Sequence, residues 1–220
     1  MKRKVLNLGV TVAFTMALAS LANCGSVAAK NNNEPQISMS ASGDIRKIRM
    51  VIAGTGIVTI YWGDNQTKRL SLTVQGDFVE HDYATNVAAR VVKIVGANVT
   101  ALFCEDNDLT ELDVSQSPYL TVLECRRNRL ERLDVNRNYA LKELGCDENR
   151  ISSLDLSRNS ELQSLSCAAN NLSAPALNAM FQSLHKNAPQ GQTKDLNIRH
   201  NPGEDACKKT IATDKGWTVN

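Results

Sequence analysis

From Cys104 to Cys167 a cysteine returns every 21 residues, at Cys104, Cys125, Cys146 and Cys167, and an asparagine follows each after three positions: Asn107, Asn128, Asn149, Asn170. Leucine-type residues keep the same interval: Leu102, Leu123, Leu144 and Leu165 two before the cysteine, and Leu109, Leu130, Ile151 and Leu172 two after the asparagine. Each unit reads L-x-x-L-x-C-x-x-N-x-L-x-x-L-D-x-x-x-N-x-x, with Leu112, Leu133 and Leu154 in its second half. A chain with one irregular core has no reason to keep such a beat, whereas a stack of equal units does. Residues two apart in a short strand project to one side, so Leu123 and Cys125 are expected inward, and Val122, Glu124 and Arg126 outward. No unit buries its apolar side alone; neighbours and end caps must supply the contacts. The asparagine row is expected to be structural, its amides bonding backbone groups that a turn leaves open at a cost of about 1–3 kcal/mol each when unmet.

The spacing predicts a leucine-rich-repeat solenoid with a parallel β-sheet, an α/β repeat fold. The run Val99–Leu172 resembles the short repeats of bacterial surface proteins, the internalins and their relatives among lipoproteins of Bacteroides-type anaerobes, including versions with cysteine at an inward strand position. The resemblance implies a curved solenoid used for protein recognition and names no partner. Past the fourth repeat, Leu196, Ile198 and Asn201 repeat the three rows, displaced by 31 residues from Leu165, Cys167 and Asn170. Within the insertion Leu177, Met180, Phe181 and Leu184 fall at i, i+3, i+4 and i+7 after Ser173, with Pro175 near the start, which predicts a helix on the outer face. Glu204 and Asp205 are expected to open a second helix carrying Cys207 and Ile211, with Trp217-Thr218-Val219 sealing a C-terminal helical cap over residues 173–220. The N-P-G and K-G-W-x-V lettering of this tail resembles the terminal cap of the same lipoproteins.

Upstream of the repeats (98–172) the lettering changes. Ile48, Met50 and Ile52, then Ile57 to Trp62, then Leu70, Leu72 and Val74, then Ala89 to Val95 read as four strands of a small antiparallel module over residues 44–97, with turns at Gly54, Gly56, Gly63-Asp64-Asn65 and Gly76-Asp77. Tyr61-Trp62-Gly63-Asp64 and His81-Asp82-Tyr83 resemble marks of the PKD-like immunoglobulin fold, with shorter spacing in the first motif. Such a module would cover the first repeat, and Asp64, His81 and Asp82 read as turn chemistry. Residues 1–23 carry Lys2, Arg3 and Lys4 and then a largely apolar stretch, Val5–Ala22, as a secretory leader does. Leu21-Ala22-Asn23-Cys24 resembles a lipobox, which implies acylation of Cys24; Asn23 departs from the usual small residue, and cleavage after Ala22 or Ala29 is the alternative. Residues 24–43 are small and polar and read as a flexible tether.

Three of the chain's 25 Lys and Arg residues lie in the leader, so against 23 Asp and Glu the remainder carries a formal charge of −1, which gives no basis for nucleic-acid binding. Setting Cys24 aside leaves five of six cysteines, an odd number. Equivalent positions on parallel strands lie about 4.7–4.9 Å apart, while a disulfide wants Cβ atoms about 3.5–4.5 Å apart. The ladder thiols are therefore expected reduced, and a straight line of thiols converges on no metal. No catalytic residue, metal or cofactor is assigned: G-x-S-x-G, H-E-x-x-H and glycine-rich phosphate-loop motifs are absent, and His81, His185 and His200 lie in three separate regions. The exposed strand rows are Phe103, Glu124, Gly145, Ser166; then Glu105, Arg126, Asp147, Ala168; then Asp106, Arg127, Glu148, Ala169. Their alternating charges are consistent with a face that only solvates and pairs. As a recognition surface its contact residues would be Phe103, Val122, Glu124, Arg126, Arg127, Arg150 and Arg199, since aromatic and arginine side chains dominate binding hot spots. The expected role is that of an exported, outer-membrane-anchored, monomeric binding module for a protein of host or neighbouring-cell origin, attached to the membrane through the N-terminal lipid only. A glycan-binding accessory of a polysaccharide-uptake system is the alternative.

Overall fold

The computed structural model describes residues 36–42, 45–84, 89–186 and 193–220. The expected leader, Cys24 and residues 24–35 of the expected tether lie outside the described residues. The end of that tether is not a tether. Ile37, Met39 and Ala41 are buried and alternate with half-buried Ser38, Ser40 and Ser42, forming strand β1 (Ile37–Ser42). A small polar composition hid a period of two, because the outward half of the strand is all serine. β1 pairs antiparallel with β5 (Ala89–Phe103) on one side and with β6 (Leu109–Asp113) on the other.

The upstream module also departs from the expected four strands. The first two are one 15-residue strand, β2 (Lys47–Tyr61). Gly54 and Gly56 do not end it; the register against β5 shifts between Ala53 and Gly54 and again between Thr55 and Val58, so the glycines sit where the strand bends. A Cβ at Gly54 would run into the Asn98 carbonyl. The third strand, β3 (Thr67–Leu72), pairs with the second half of β2, and β4 (Asp77–Asp82), unread in the sequence, pairs with its first half. β5 runs on to Phe103, across the expected boundary at residue 97. Its first half belongs to the upstream sheet and its last three residues begin the repeat ladder.

That ladder is parallel. β5 is followed by β7 (Val122–Glu124), β8 (Glu143–Gly145), β9 (Ser164–Ser166), β10 (Lys194–Asn197) and β11 (Trp217–Val219), with Leu102, Leu123, Leu144, Leu165, Leu196 and Val219 in register. The chain is thus a β-rich repeat fold with a parallel-strand sheet. Three-residue strands cannot stand alone, and the pairing continues beyond them. The N–H groups of Cys104, Cys125, Cys146 and Cys167 donate to the carbonyls of Glu124, Gly145, Ser166 and Asn197 at 2.8, 2.8, 2.8 and 2.9 Å. The four cysteines are buried at one register beneath one sheet, and all five described cysteines are free thiols. Burial pushes each ladder thiol well above its ordinary pKa.

The asparagines close each turn. Asn149 accepts from Leu130 N–H at 2.9 Å and donates to the carbonyls of Cys125, Cys146 and Asp147 at 3.0, 3.1 and 3.2 Å. Asn128, Asn170 and Asn201 repeat these acceptor and donor roles in their own turns, with small differences in count. The residue before each asparagine, Asp106, Arg127, Glu148, Ala169 and His200, sits at a φ between 50° and 62°, a left-handed conformation that a side chain opposes and that the amide bonds hold. Asn107, with no repeat before it, uses β2 instead, accepting from Arg49 N–H at 2.8 Å and donating to Arg49 O at 2.7 Å. A second row, Asn138 and Asn159, was present in the repeat lettering and bonds the next turn: Asn138 Nδ2 reaches Val114 O and Ser117 O, and Asn159 Nδ2 reaches Val135 O and Asn138 O.

Helix α1 (Ala174–Ser183) buries Leu177, Met180 and Phe181, with Ser173 at its N-cap. Lys215 Nζ donates to the carbonyls of Phe181, Gln182 and Leu184 at 3.0, 2.6 and 2.6 Å, closing the end of that helix. The second helix is shorter and later than expected: α2 covers only Thr210–Thr213. Glu204 does not open it. Its carboxylate accepts from His200 N–H at 2.6 Å, and Gly203 packs so tightly on the Ser173–Ala174 backbone that a Cβ would collide there.

Candidate interaction surface

Inward positions of the ladder are filled by leucine, cysteine and asparagine, so any chemistry on offer lies on the outward rows. The pairing register carries those rows beyond the repeats. Val51 of β2 pairs with Phe78 of β4 on one side and with Phe103 of β5 on the other. Phe103 is in register with Glu124, Gly145, Ser166 and Asn197. Directly opposed residues share a sheet face, so one outward row runs Phe78, Val51, Phe103, Glu124, Gly145, Ser166, Asn197. Apolar on three strands, it carries polar side chains on three of the next four, with Gly145 as the gap. The neighbouring row on one flank runs Ala53, Ala101, Val122, Glu143, Ser164, Asp195.

The polar stretch is tightly bonded. Arg126 Nε lies 2.8 Å from Glu124 Oε2 and 3.0 Å from Asp147 Oδ2, straddling both carboxylates. Asp147 in turn accepts from Ser166 Oγ and from Ala168 N–H, and Asn197 Nδ2 donates to Ser166 Oγ at 3.1 Å. The Glu124 side chain lies over Gly145, where any Cβ would strike its carboxylate and the Arg126 Nε. Gly145 thus supplies space, since its backbone is not among the left-handed glycines. Burial pushes the Glu124 carboxyl up to about 7; Arg126 pulls it down, while Glu105, Asp147 and Glu143 push it up. Arg127 forms a two-pronged pair with Asp106, at 2.6 and 2.8 Å, and Arg129 reaches Asp108 at 2.8 Å.

Of the seven residues singled out from sequence, Phe103, Val122 and Glu124 come together on adjoining strands, and Arg126, two residues past the end of β7, joins them through Glu124. Phe103 is half-buried, not the exposed aromatic expected, because Val51 and Glu124 flank it in register. Arg127 lies beyond the strand end in its pair with Asp106. Arg150 and Arg199 are exposed, one past the turn of the third repeat and one after β10, apart from the Phe103 group. Sequence reasoning missed Val51 and Phe78 as members of the surface; it placed Asp147 and Ala168 on an exposed row, whereas both are buried, Asp147 beneath its bonds to Arg126, Ser166 and Ala168 N–H. A period of two across Asp77–Asp82, with Val79 inward, was the signal for Phe78.

Asp64 and His81 belong to a corner of the upstream sheet. His81 Nε2 is 2.7 Å from Asp64 Oδ2, its ring stacks on Trp62 at 4.7 Å, and Tyr83 Oη donates to Trp62 O at 2.8 Å. Buried Arg90 lies 4.0 Å above the Tyr83 ring. Burial works against the charge on Asp64, but the bonds from His81 and Gln66 N–H outweigh it and hold the carboxyl below its usual range. The corner's polar atoms bond one another, as in a structural plug.

No protein-family model matches the sequence, and no curated protein matches it. Among solved structures the chain is similar to the functional domain of InlJ from Listeria monocytogenes, which includes a cysteine ladder. Identity is 30%, with 55% of this chain and 24% of that chain covered, at a TM-score of 0.43. The present chain therefore spans about a quarter of the length of that domain.

Proposed function

We propose that the chain is an exported, lipid-anchored, monomeric leucine-rich-repeat solenoid of the internalin kind that recognises another protein with the outward face of its strands and performs no catalysis. One observation carries the reading. At one register the inward position is cysteine in all four repeats, whereas the adjacent outward position is Phe103, Glu124, Gly145 and Ser166 in turn. Packing explains the uniform row and says nothing of the varied one, whose side chains are free to answer to a ligand. Ionisable groups on the face are tied into pairs, Arg126 with Glu124 and Asp147 and Arg127 with Asp106, an arrangement suited to a fixed charge pattern and not to proton transfer. In this reading the upstream sheet is a PKD-like module covering the first repeat, and α1, α2 and β11 form the C-terminal cap. Lys2-Arg3-Lys4, the apolar stretch and Leu21-Ala22-Asn23-Cys24 support export to the outer membrane and acylation at Cys24. Mass spectrometry of the mature N-terminus tests the anchor: an unmodified chain beginning at Lys30 refutes it. A cell-surface interaction screen comparing wild type with Phe103→Ala plus Arg126→Glu tests the face, and identical partners and affinities for both remove it.

A second reading, a glycan-binding accessory of a polysaccharide-uptake system, is favoured by Tyr119 and Tyr139, which are 44% and 56% exposed in the turns leading into β7 and β8. Exposed aromatic rings suit sugar stacking. Polysaccharide retention that disappears in Tyr139→Ala and survives the strand-face double variant decides for it.

A further inference from the structure

We propose that the anchoring point of this surface is the apolar corner where β4, β2 and β5 meet, and that it takes a basic segment of a protein partner. An aromatic or leucine side chain of that segment rests on Phe78, Val51 and Phe103, and a neighbouring lysine or arginine faces Glu124. This rests on reading the strand face as a recognition surface and adds where on it a partner anchors and with what chemistry.

Phe78 is 61% exposed. It stands on β4, which among the described residues pairs only with β2, so an aromatic side chain and a strand edge with no described neighbour coincide. Both are features that chains hide unless something covers them. The same row continues through half-buried Val51 and Phe103, and Val122 adds to it on the flank, so the patch spans four adjacent strands. Gly76 helps shape the patch: it has a φ of 89°, and a Cβ there would press on Val51 Cγ1 at 2.7 Å.

Charge selects the partner. Next to the apolar row Glu105, Glu143 and Asp147 act on Glu124 as like charges, and Arg126 bridges Glu124 and Asp147. On the other side of the corner Arg49 and Lys47 are engaged by Glu80 and Asp82. Carboxyl groups thus outnumber the one guanidinium that bridges Glu124 and Asp147, so an arriving cation meets a net acidic rim, while an arriving anion meets cations already paired. An apolar centre with a net acidic rim fits an apolar side chain beside a basic one.

The test is a selection of short random peptides displayed on phage against the full chain, followed by affinities of the synthesised winners measured by fluorescence anisotropy. Expected are sequences with an aromatic or leucine residue next to lysine or arginine. Their affinity should fall at least about tenfold in Phe78→Ala, fall severalfold in Glu124→Gln, and stay unchanged in Tyr139→Ala. Phe78→Lys, which places a like charge at an exposed position, should abolish binding; unaltered circular dichroism of both Phe78 variants verifies the fold. Winners without basic residues, or no enrichment over an unrelated protein, overturn the proposal, as does self-association of the chain that Phe78→Ala removes. Winners indifferent to Phe78→Ala but lost in Ser164→Arg plus Ser166→Arg overturn the corner and leave the strand-face reading standing. Winners indifferent to both sets overturn both.

Discussion

Removing the amide of Asn149 in Asn149→Ala tests what holds the repeats together. Four hydrogen bonds go, but their losses are unequal. Cys125 O keeps a donor in Asn128 Nδ2 at 2.9 Å, Cys146 O keeps Asn170 Nδ2 at 2.9 Å, and Asp147 O keeps Arg127 N–H at 2.9 Å. Leu130 N–H has only the lost Oδ1 as its acceptor, and Leu130 is 0% exposed. One orphaned buried donor costs about 1–3 kcal/mol, and three shared bonds cost about 0.5–1 kcal/mol each, for a total of about 2.5–6 kcal/mol. Against a usual domain stability of about 5–15 kcal/mol that is a large fraction. The neighbouring Asn171→Ala, at an exposed residue with a single 3.3 Å bond to Arg150 O, should cost under about 0.5 kcal/mol. Equilibrium urea unfolding followed by circular dichroism measures both. The chain's two tryptophans, Trp62 in the upstream sheet and Trp217 in β11, report whether both ends unfold with the middle. Asn149→Asp sharpens the test: it keeps the acceptor for Leu130 N–H and turns a second oxygen on three carbonyls, so it should be at least as destabilising at neutral pH and partly rescued in acid. A loss below about 1 kcal/mol for Asn149→Ala, or a loss equal to that of Asn171→Ala, refutes the claim that the buried amides carry the turns.

Three further outcomes are expected. The ladder thiols, which burial keeps protonated, should react with a disulfide reagent only as fast as the chain unfolds, and half-buried Cys207 should react ahead of them; native-state labelling read by mass spectrometry gives the order. Because the folded Glu124 carboxyl titrates at about 7, above its ordinary 4.5, its contribution is fully present below the lower value and is lost as pH rises through the upper one. Glu124→Gln should flatten the fall in urea stability between those values, by about 1–3 kcal/mol, and an unchanged slope speaks against the assignment. Lys215→Met should cost about 1–3 kcal/mol by leaving the last carbonyls of α1 without their charged donor, seen as faster amide exchange in α1 than in the β5–β8 ladder.

The 21-residue beat was legible because each inward position meets its own copy in the next turn, which forces leucine on leucine, cysteine on cysteine and asparagine on a carbonyl that recurs. Local pattern fails where contacts are distant and unlike. β1 hid in a serine-rich stretch whose inward half is only Ile37, Met39 and Ala41. β4 hid because Glu80, His81 and Asp82 look like loop and Gly76-Asp77 like a turn, although Val79 is buried and Phe78 points away from it. The α2 boundary failed for a tertiary reason, the Gly203 backbone wedged against Ser173 and Ala174.

Legibility and function divide along the same line. Residues fixed by their repeat equivalents, such as Cys125 or Asn149, have one packing answer and carry no information about a ligand. Phe103 shows the opposite case. Its repeat equivalents are Glu124, Gly145 and Ser166, so nothing in the repeat demands an aromatic there, and its meaning comes from Val51 and Phe78, brought alongside by the β2 pairings. Gly145 is a second break in the row, explained by the carboxylate that fills its space. Where the row departs from its repeat and the departure is matched across the sheet, stacking of the repeats does not account for the match. The apolar corner is the place on the described face where both conditions hold with the side chains still open to solvent.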